Sequence, residues 1–194
     1  MKHMLHVMNM GKVLLFTSCI VTLFFSCKED DPISRRYPCR FTFYRQPHPT
    51  SIIFTACQSP GTYVHVYTTI DKEGDHSYRF VNALLNDGKT PTERNRIETQ
   101  VETNIPYMLG ASNEIGLIIG LTNFNGLTAY DRVCPNCSGL QPLAWSKNNK
   151  QRVNCSKCNR TYELETGNIV EGPGGDALLR YGISIDDVRL NVGN

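Results

Sequence analysis

Two closely spaced pairs of cysteines constrain the fold of this chain more than any other feature. The first pair is Cys134-Pro-Asn-Cys137, the second is Cys155-Ser-Lys-Cys158, and 17 residues separate them. In a C-x2-C turn two thiolates converge on one ion, and two such turns supply the four tetrahedral ligands of a structural metal site. Gly139 allows the chain to leave the first turn in a left-handed conformation. The spacing therefore predicts a metal site with these four cysteines as its ligands.

The pattern leaves the identity of the metal open. Four thiolates suit zinc, which we favour, but they also suit a mononuclear iron or a [2Fe–2S] cluster. In an exported protein the same cysteines could instead form disulfides. Because zinc has no redox chemistry, the metal decides between a structural or binding role and electron transfer.

The segment that contains the two pairs is positively charged. No Asp or Glu occurs between Arg132 and Arg160, whereas a zinc ion with four thiolates has a net charge of −2. We expect the cations of this segment to lower the pKa values of the thiols and to offset the buried charge. These cations are Lys147, Lys150, Arg152, Lys157 and Arg160.

Two aromatic residues flank this basic segment. Trp145 precedes its first lysine, and Tyr162 follows its last arginine. They could form a ligand surface, but an aromatic lid over the metal site is the interpretation that we favour.

The first 26 residues have the features of an export signal. Lys2 and Lys12 are their charged residues, and an apolar run over residues 13–26 ends directly before Cys27. This run of about 14 residues is shorter than the ~20 that span a bilayer, so a signal peptide is predicted over residues 1–26. Leu23, Ser26 and Cys27 resemble the lipobox of bacterial lipoproteins, which implies cleavage before Cys27 and lipidation of its thiol. An ordinary signal peptide with a chance cysteine is the alternative.

The segment after Cys27 bears on localisation. Residues 27–36 are predicted to be an acidic surface tether, and Lys28-Glu29-Asp30-Asp31 resembles the tag that sends lipoproteins of one Gram-negative phylum to the cell surface. We expect an outer-membrane lipoprotein that faces the cell surface, with the periplasmic leaflet as the alternative. Its anchor on Cys27 makes the membrane its partner. Removal of two lysines with the signal peptide leaves 18 Lys and Arg against 18 Asp and Glu, so the charge gives no indication of nucleic-acid binding.

The remaining chain is predicted to be mainly β. Its apolar residues alternate over short stretches that turn residues interrupt, and no long amphipathic helix is evident. Residues 77–86 fit either a strand or a short helix, and Asn123-Phe-Asn-Gly126 predicts a hairpin turn. The predicted strands are 40–45, 51–56, 62–69, 97–101, 116–121, 127–133, 161–164, 168–170, 183–186 and 188–192.

The C-terminal third resembles a Rieske-type iron–sulfur domain. Ala129-Tyr-Asp-Arg-Val-Cys134-Pro is similar to the first ligand loop of that family, and Cys155-x2-Cys158 with Tyr162-Glu-Leu-Glu-Thr-Gly167 is similar to the second. Glu171-Gly172-Pro173-Gly174 resembles the proline loop that covers the cluster. The resemblance spans about 65 residues. It implies a Rieske-like β-sandwich over residues 37–194, with a rubredoxin- or zinc-ribbon-like metal-binding subdomain at about 130–175.

The ligand residues depart from that family. A Rieske centre is bound by two cysteines and two histidines. Here Asn136 stands at the first histidine position, Cys158 stands at the second, and no histidine follows His76. The departure implies one metal on four thiolates in place of a two-histidine iron, and it does not support quinol oxidation.

The other chemically reactive residues do not predict an enzyme. The three histidines after residue 27 are far apart, and no serine has the surroundings of a nucleophile elbow. Cys39 and Cys57 fit either a disulfide or two buried free thiols. We therefore name no catalytic residue, and the sequence does not identify a protein or small-molecule partner.

Overall fold

Short stretches of alternating apolar residues form antiparallel strands, as the sequence predicts. The computed structural model describes residues 33–194, so the predicted signal peptide, Cys27 and the first part of the tether lie outside it, and the domain boundaries stay predictions. In that range the chain is mainly β, and no helix is long and apolar enough to cross a membrane. The elements are β1 (Cys39–Tyr44), α1 (Ile52–Ala56), β2 (Thr62–Glu73), β3 (His76–Leu85), β4 (Glu93–Arg96), α2 (Gln100–Thr103), β5 (Met108–Leu109), β6 (Leu117–Leu121), β7 (Leu127–Asp131), β8 (Ala144–Trp145), β9 (Arg152–Asn154), β10 (Thr161–Glu163), β11 (Ile169–Glu171), β12 (Arg180–Ile185) and β13 (Arg189–Gly193).

Nine strands form one sheet that curls around an apolar core. Their order is β4-β3-β2-β6-β7-β12-β13-β1-β5, and the pairings are antiparallel. Phe41 and Phe43 of β1 pack in the same core as Val81 and Ala83 of β3. These two strands would lie about 29 Å apart in a flat sheet. The sheet therefore folds back over itself, and its two halves face each other as in a β-sandwich.

Two hairpins agree with the sequence analysis. Leu121 pairs with Leu127 across the turn at residues 122–126, which confirms the predicted hairpin. Residues 77–86, which fitted a strand or a helix, lie almost wholly in β3, because β3 pairs with β2 from His76 to Leu85. Gly74 begins the two-residue turn between these strands with a φ of +64°, a conformation that favours glycine.

The strand predicted at residues 51–56 is wrong, because residues 52–56 form helix α1. Ser51 has an extended backbone and caps the helix, since its Oγ accepts a hydrogen bond from the Ile53 N–H at 3.3 Å. The Ser51 hydroxyl also donates to Glu93 Oε1 at 2.6 Å, and the Ile52 N–H donates to Glu93 Oε2 at 2.8 Å. Glu93 is 42 residues away on β4. A long-range contact therefore overrides the strand preference of these β-branched residues.

The strand predicted at residues 97–101 is also wrong. The strand in this region is β4, which ends before Ile97, and Ile97 itself is buried in the main core. Thr99 caps helix α2 by accepting a hydrogen bond from the Glu102 N–H at 3.3 Å. The Thr-x-x-Glu sequence is typical of a helix start, and this signal could have corrected the strand prediction.

The Ser51 cap leads to a stability prediction. Ser51→Ala should lower the free energy of unfolding by about 1 kcal/mol, because the first N–H groups of α1 lose an acceptor. Urea denaturation followed by circular dichroism measures this loss. Ser59→Ala is the matched control, since the Ser59 hydroxyl has no hydrogen bond within residues 33–194. Equal losses for the two variants would contradict the prediction.

Residues 132–179, which we call the metal lobe, are inserted between two paired strands. β7 and β12 pair at Tyr130–Arg180 and Ala129–Tyr181, and the chain leaves and re-enters the large sheet there. Within the lobe a second antiparallel sheet has the order β11-β10-β9-β8. Its apolar side chains form a small second core against Tyr63, Ile118 and Tyr130 of the large sheet; the lobe contributes Leu143, Val153, Tyr162, Leu164 and Leu178.

Candidate metal centre

The structure brings the four predicted cysteines together. The Sγ atoms of Cys134, Cys137, Cys155 and Cys158 all lie within 4.8 Å of one another. Cys134 Sγ is 3.7 Å from Cys158 Sγ, and Cys137 Sγ is 3.6 Å from Cys155 Sγ. A tetrahedral ion with Zn–S bonds of about 2.3 Å would place its sulfurs about 3.8 Å apart. The thiols are free, and these distances are well above the ~2 Å of a disulfide, so the cluster is suited to hold a metal ion.

Local backbone geometry forms each turn. The Cys134 N–H donates to Gln141 O at 2.8 Å, and the Cys155 N–H donates to Arg160 O at 2.9 Å. Gly139 has a φ of +82°, as expected of the residue that leaves the first turn, and Asn159 has the one positive φ of a non-glycine residue in the described chain. In each pair the first cysteine is buried and the second is half-buried. One side of the cluster therefore faces the lobe core, and the other side faces the surface.

Asn136, which stands where the resemblance places a histidine ligand, has a different role. Its Nδ2 donates to Tyr162 Oη at 2.9 Å and to Asp176 O at 2.7 Å, while its Oδ1 accepts from the Asp176 N–H at 2.8 Å. Tyr162 Oη lies 3.3 Å from Cys134 Sγ. Because Tyr162 Oη accepts from Asn136, its own proton is free to point at this sulfur. Asn136 thus connects the first turn to the loop at residues 172–176 through hydrogen bonds.

Arg160 is the cation most closely associated with the thiols. Burial acts to raise the pKa of Cys158, but hydrogen bonds from the side chain and backbone of Arg160 outweigh it and lower that pKa to about 6. Burial and the neighbouring thiols raise the pKa of Cys137 to about 12, and burial also raises the pKa of Cys134. Metal binding at neutral pH must therefore release protons from the cluster.

The other cations of the segment divide into three groups. Lys157 Nζ donates to Ser138 O at 2.8 Å and so links the two turns. Arg152 pairs with Glu171 at 2.8 Å, away from the thiols. Lys147 and Lys150 are exposed, and neither takes part in an ion pair within residues 33–194. Arg160 is therefore the cation of this segment that lowers a thiol pKa, that of Cys158.

The N-terminal segment contacts the first turn, which the sequence analysis did not foresee. Arg36 Nη1 donates to Pro135 O at 2.9 Å, and the Ser34 N–H donates to Arg180 O at 2.7 Å. Asn194 Nδ2 donates to Ser34 O at 2.7 Å and to Tyr37 O at 2.8 Å. No sequence signal points to these contacts, because they join residues far apart in the chain.

Hydrogen bonds to Glu165 connect the metal lobe to the β6–β7 hairpin. The Glu165 carboxylate accepts hydrogen bonds from the N–H groups of Asn123, Phe124 and Asn125 at 2.9 to 3.2 Å. Partial burial acts to raise the pKa of Glu165, but these N–H donors outweigh it, so that pKa is lowered. This contact, together with the shared second core, sets the orientation of the lobe on the sheet.

Cys39 and Cys57, which fitted a disulfide or free thiols, are buried free thiols in the structure. Burial raises the pKa of each to about 12. Both belong to the main core and not to the four-cysteine cluster. Their chemistry is therefore that of small apolar core residues.

The three histidines of residues 33–194 have separate surroundings. His48 Nε2 contacts Glu102 Oε1 at 3.0 Å, and His76 is exposed at the β2–β3 turn. His65 Nε2 lies 2.6 Å from Ile115 O and 3.0 Å from Arg132 Nη1. Burial and the Arg132 charge lower the pKa of His65 to about 3.

The pKa of His65 predicts a dependence of stability on pH. An unfolded histidine titrates near 6.5, so between pH 6.5 and pH 3 the unfolded chain binds more protons than the folded chain. Stability therefore falls as the pH falls, by about 2 kcal/mol from pH 7 to pH 5. In His65→Gln this loss of about 2 kcal/mol in the free energy of unfolding should disappear. In His76→Gln, which changes the exposed turn, the loss should remain. Urea denaturation at pH 7 and pH 5, with metal content measured in each sample, gives the comparison; equal pH dependence in both variants would refute the assignment.

Comparisons with protein-family models and with curated proteins found no match to this chain. The four-cysteine cluster on a curled antiparallel sheet is thus the feature from which function is inferred.

Proposed function

We propose that the chain is a membrane-anchored, surface-exposed lipoprotein that binds one zinc ion through Cys134, Cys137, Cys155 and Cys158. The spacing of the four Sγ atoms carries this proposal, because it matches a single tetrahedral ion. In a [2Fe–2S] cluster two irons and two sulfides lie between the cysteines, so thiolates on opposite irons are farther apart than the 4.8 Å limit here. A mononuclear centre therefore fits better than a two-iron cluster.

The proposed role of the ion is structural. All four tetrahedral positions are taken by cysteines, which is typical of structural zinc sites, whereas catalytic sites keep one position for water or substrate. The strands of the metal lobe have only two or three residues, and its core is small. A segment of this kind needs a cross-link to fold stably. The ion would join the two turns and hold the lobe on the sheet.

Separate observations support the lipid anchor and the Rieske-like fold. The short apolar run before Cys27 and its lipobox favour lipidation, and the acidic residues that follow favour surface display. A lobe with two ligand turns inserted between paired strands, and a 172–176 loop bound by Asn136 and Arg160, support a Rieske-like fold in which cysteines replace both histidines. This is the finer fold assignment that we propose.

One observation favours electron transfer as a second candidate. Cys137 and Cys158 are half-buried and face the surface, so a redox-active iron at the same cysteines would have a short path to a partner. Zinc and iron at this site are distinguished by colour and by redox activity.

Metal analysis of the purified full-length protein tests the proposal. We expect about one zinc per chain and no visible absorption band. Cys155→Ala should lose the metal, and Cys57→Ala, which removes a buried thiol outside the cluster, should retain it. Stoichiometric iron with a visible spectrum would overturn the zinc assignment and support electron transfer.

The anchor is tested separately by incorporation of labelled fatty acid. Label and globomycin sensitivity should be lost in Cys27→Ala and kept in Cys19→Ala, which changes a cysteine within the predicted signal peptide. A Cys27→Ala protein that still carries lipid would contradict the lipoprotein assignment.

A further inference from the structure

A groove beside the second cysteine pair has the lining of a ligand site. It lies between the β8–β9 segment and the turn that begins at Cys155, and its volume is about 510 Å³. We call it the Trp145 groove, because the only tryptophan of the chain lines it. The groove opens to the surface, and the buried Cys155 of the thiol cluster forms part of its wall.

Apart from the proposed metal ligand Cys155, the charged side chains that line the Trp145 groove are cations. None of the residues that line it is acidic, and two are cations, Lys147 and Arg160. Arg160 is fixed in place, since its Nε and Nη2 donate to the carbonyl oxygens of Pro173 and Gly174 at 3.0 and 2.9 Å. Its side chain also hydrogen-bonds Cys158, so its charge is shared with the thiols of the cluster. Lys147 is exposed and has no ion pair within residues 33–194, so it is available to a ligand. A concave surface with cations and no carboxylates favours an anion.

The uncharged residues favour a ligand that combines a ring with hydroxyl groups. Trp145 is half-buried, so part of its indole remains accessible for packing against an apolar ring face. The side-chain amides of the groove both donate and accept hydrogen bonds, and its hydroxyl groups do the same. These are Asn148, Asn154, Asn159, Ser146 and Ser156, whereas the Thr161 hydroxyl already donates to Glu171 at 3.2 Å. Sugars present C–H faces and many hydroxyl groups, so they match this lining.

We propose that the Trp145 groove binds an acidic saccharide. Its carboxylate or sulfate pairs with Lys147, its ring packs on Trp145, and its hydroxyl groups bond to the amides. This goes beyond the proposed function, which assigns no ligand, and it depends on the lobe being folded but not on which metal folds it.

Trp145 itself provides the measurement, because it is the one tryptophan of the full-length protein, and tryptophan fluorescence excited selectively over the tyrosines reports on this groove. Detergent-solubilised protein of known zinc content is titrated with trigalacturonate, which carries carboxylates, and with a heparin tetrasaccharide, which carries sulfates. We expect a saturable fluorescence change with at least one of them, and the tighter of the two identifies the acidic group. Lys147→Gln should weaken binding about fivefold. Lys72→Gln, which removes the same charge from the exposed β2–β3 hairpin, should leave the affinity unchanged.

Three results would overturn the inference: no saturable change with either acidic saccharide, equal binding of fully methyl-esterified trigalacturonate, or tighter binding of a single-stranded oligonucleotide. The measured zinc content distinguishes failure of the saccharide site from failure of the zinc assignment. Zinc-loaded protein that fails to bind contradicts the saccharide site alone, whereas iron-loaded protein that binds contradicts the zinc assignment and supports the site.

Discussion

Replacing Cys134 with alanine should release the bound metal and unfold the metal lobe while the nine-stranded sheet keeps its fold. Structural zinc contributes on the order of 10 kcal/mol to small domains of this kind, which is more than the second core can supply. The sheet has its own core, which contains Phe41, Val64 and Leu117 and none of the four cysteines. Hydrogen exchange measured by mass spectrometry should show lost protection over residues 132–179 and retained protection in β2 and β3.

Cys57→Ala is the control for this experiment. It deletes a buried thiol of the main core, leaves the cluster intact, and should cost about 1 kcal/mol without loss of metal. Chelation of the wild-type metal should reproduce the exchange pattern of Cys134→Ala. A metal-free lobe that keeps its protection would show that the ion is not structural, and the proposed role would have to be abandoned.

Asp131→Ala should be strongly destabilising, at about 3–5 kcal/mol. Asp131 is fully buried at the end of β7, three residues before the first turn of the metal lobe begins at Cys134. Its carboxylate accepts hydrogen bonds at 2.8 Å from the Ala111 N–H, the Val133 N–H and the Tyr181 hydroxyl. Alanine would leave the three donors without an acceptor, two of them in buried positions, and each buried donor without a partner costs about 1–3 kcal/mol.

Asp186→Ala provides the matched comparison. Asp186 also accepts from two backbone N–H groups, those of Val188 and Arg189 at 2.8 Å, but it lies in an exposed turn where water can replace it. We expect a loss below about 1 kcal/mol in urea denaturation. If both substitutions lowered the free energy of unfolding by similar amounts, burial would not be the reason why the hydrogen bonds of Asp131 stabilise the protein.

The sequence predicts what depends on local patterns. The C-x2-C spacing identifies the four cysteines whose Sγ atoms meet, and alternation of apolar residues places most strands of the sheet. It fails at residues 51–56, where β-branched residues favour a strand but Glu93, 42 residues away, completes a helix cap. A pattern within one segment carries no information about such a distant acceptor.

The same limit applies to the metal centre. Asn136 could be recognised from sequence as a departure from a histidine ligand, but its hydrogen bonds to Tyr162 and Asp176 depend on how the 172–176 loop folds back. The basic residues could be counted, yet only the structure separates Arg160 at the thiols from Arg152, which pairs with Glu171. For Cys39 and Cys57 the sequence left a disulfide and two free thiols as alternatives, and the choice between them requires the positions of the two residues in the structure.

The contact of Arg36 with the first turn has a mechanical consequence. If the chain is tethered through residues before Ile33, a pulling force enters the folded domain at Ser34 and Arg36. The Arg36–Pro135 hydrogen bond would pass part of that load to the residue next to Cys134, where metal–sulfur bonds of the proposed centre would resist it. Single-molecule pulling from the N-terminal side should therefore require less force to open the domain in Arg36→Ala than in wild type. In a chain tethered in this way, a metal ion at the four cysteines would strengthen the domain at the point where the force enters.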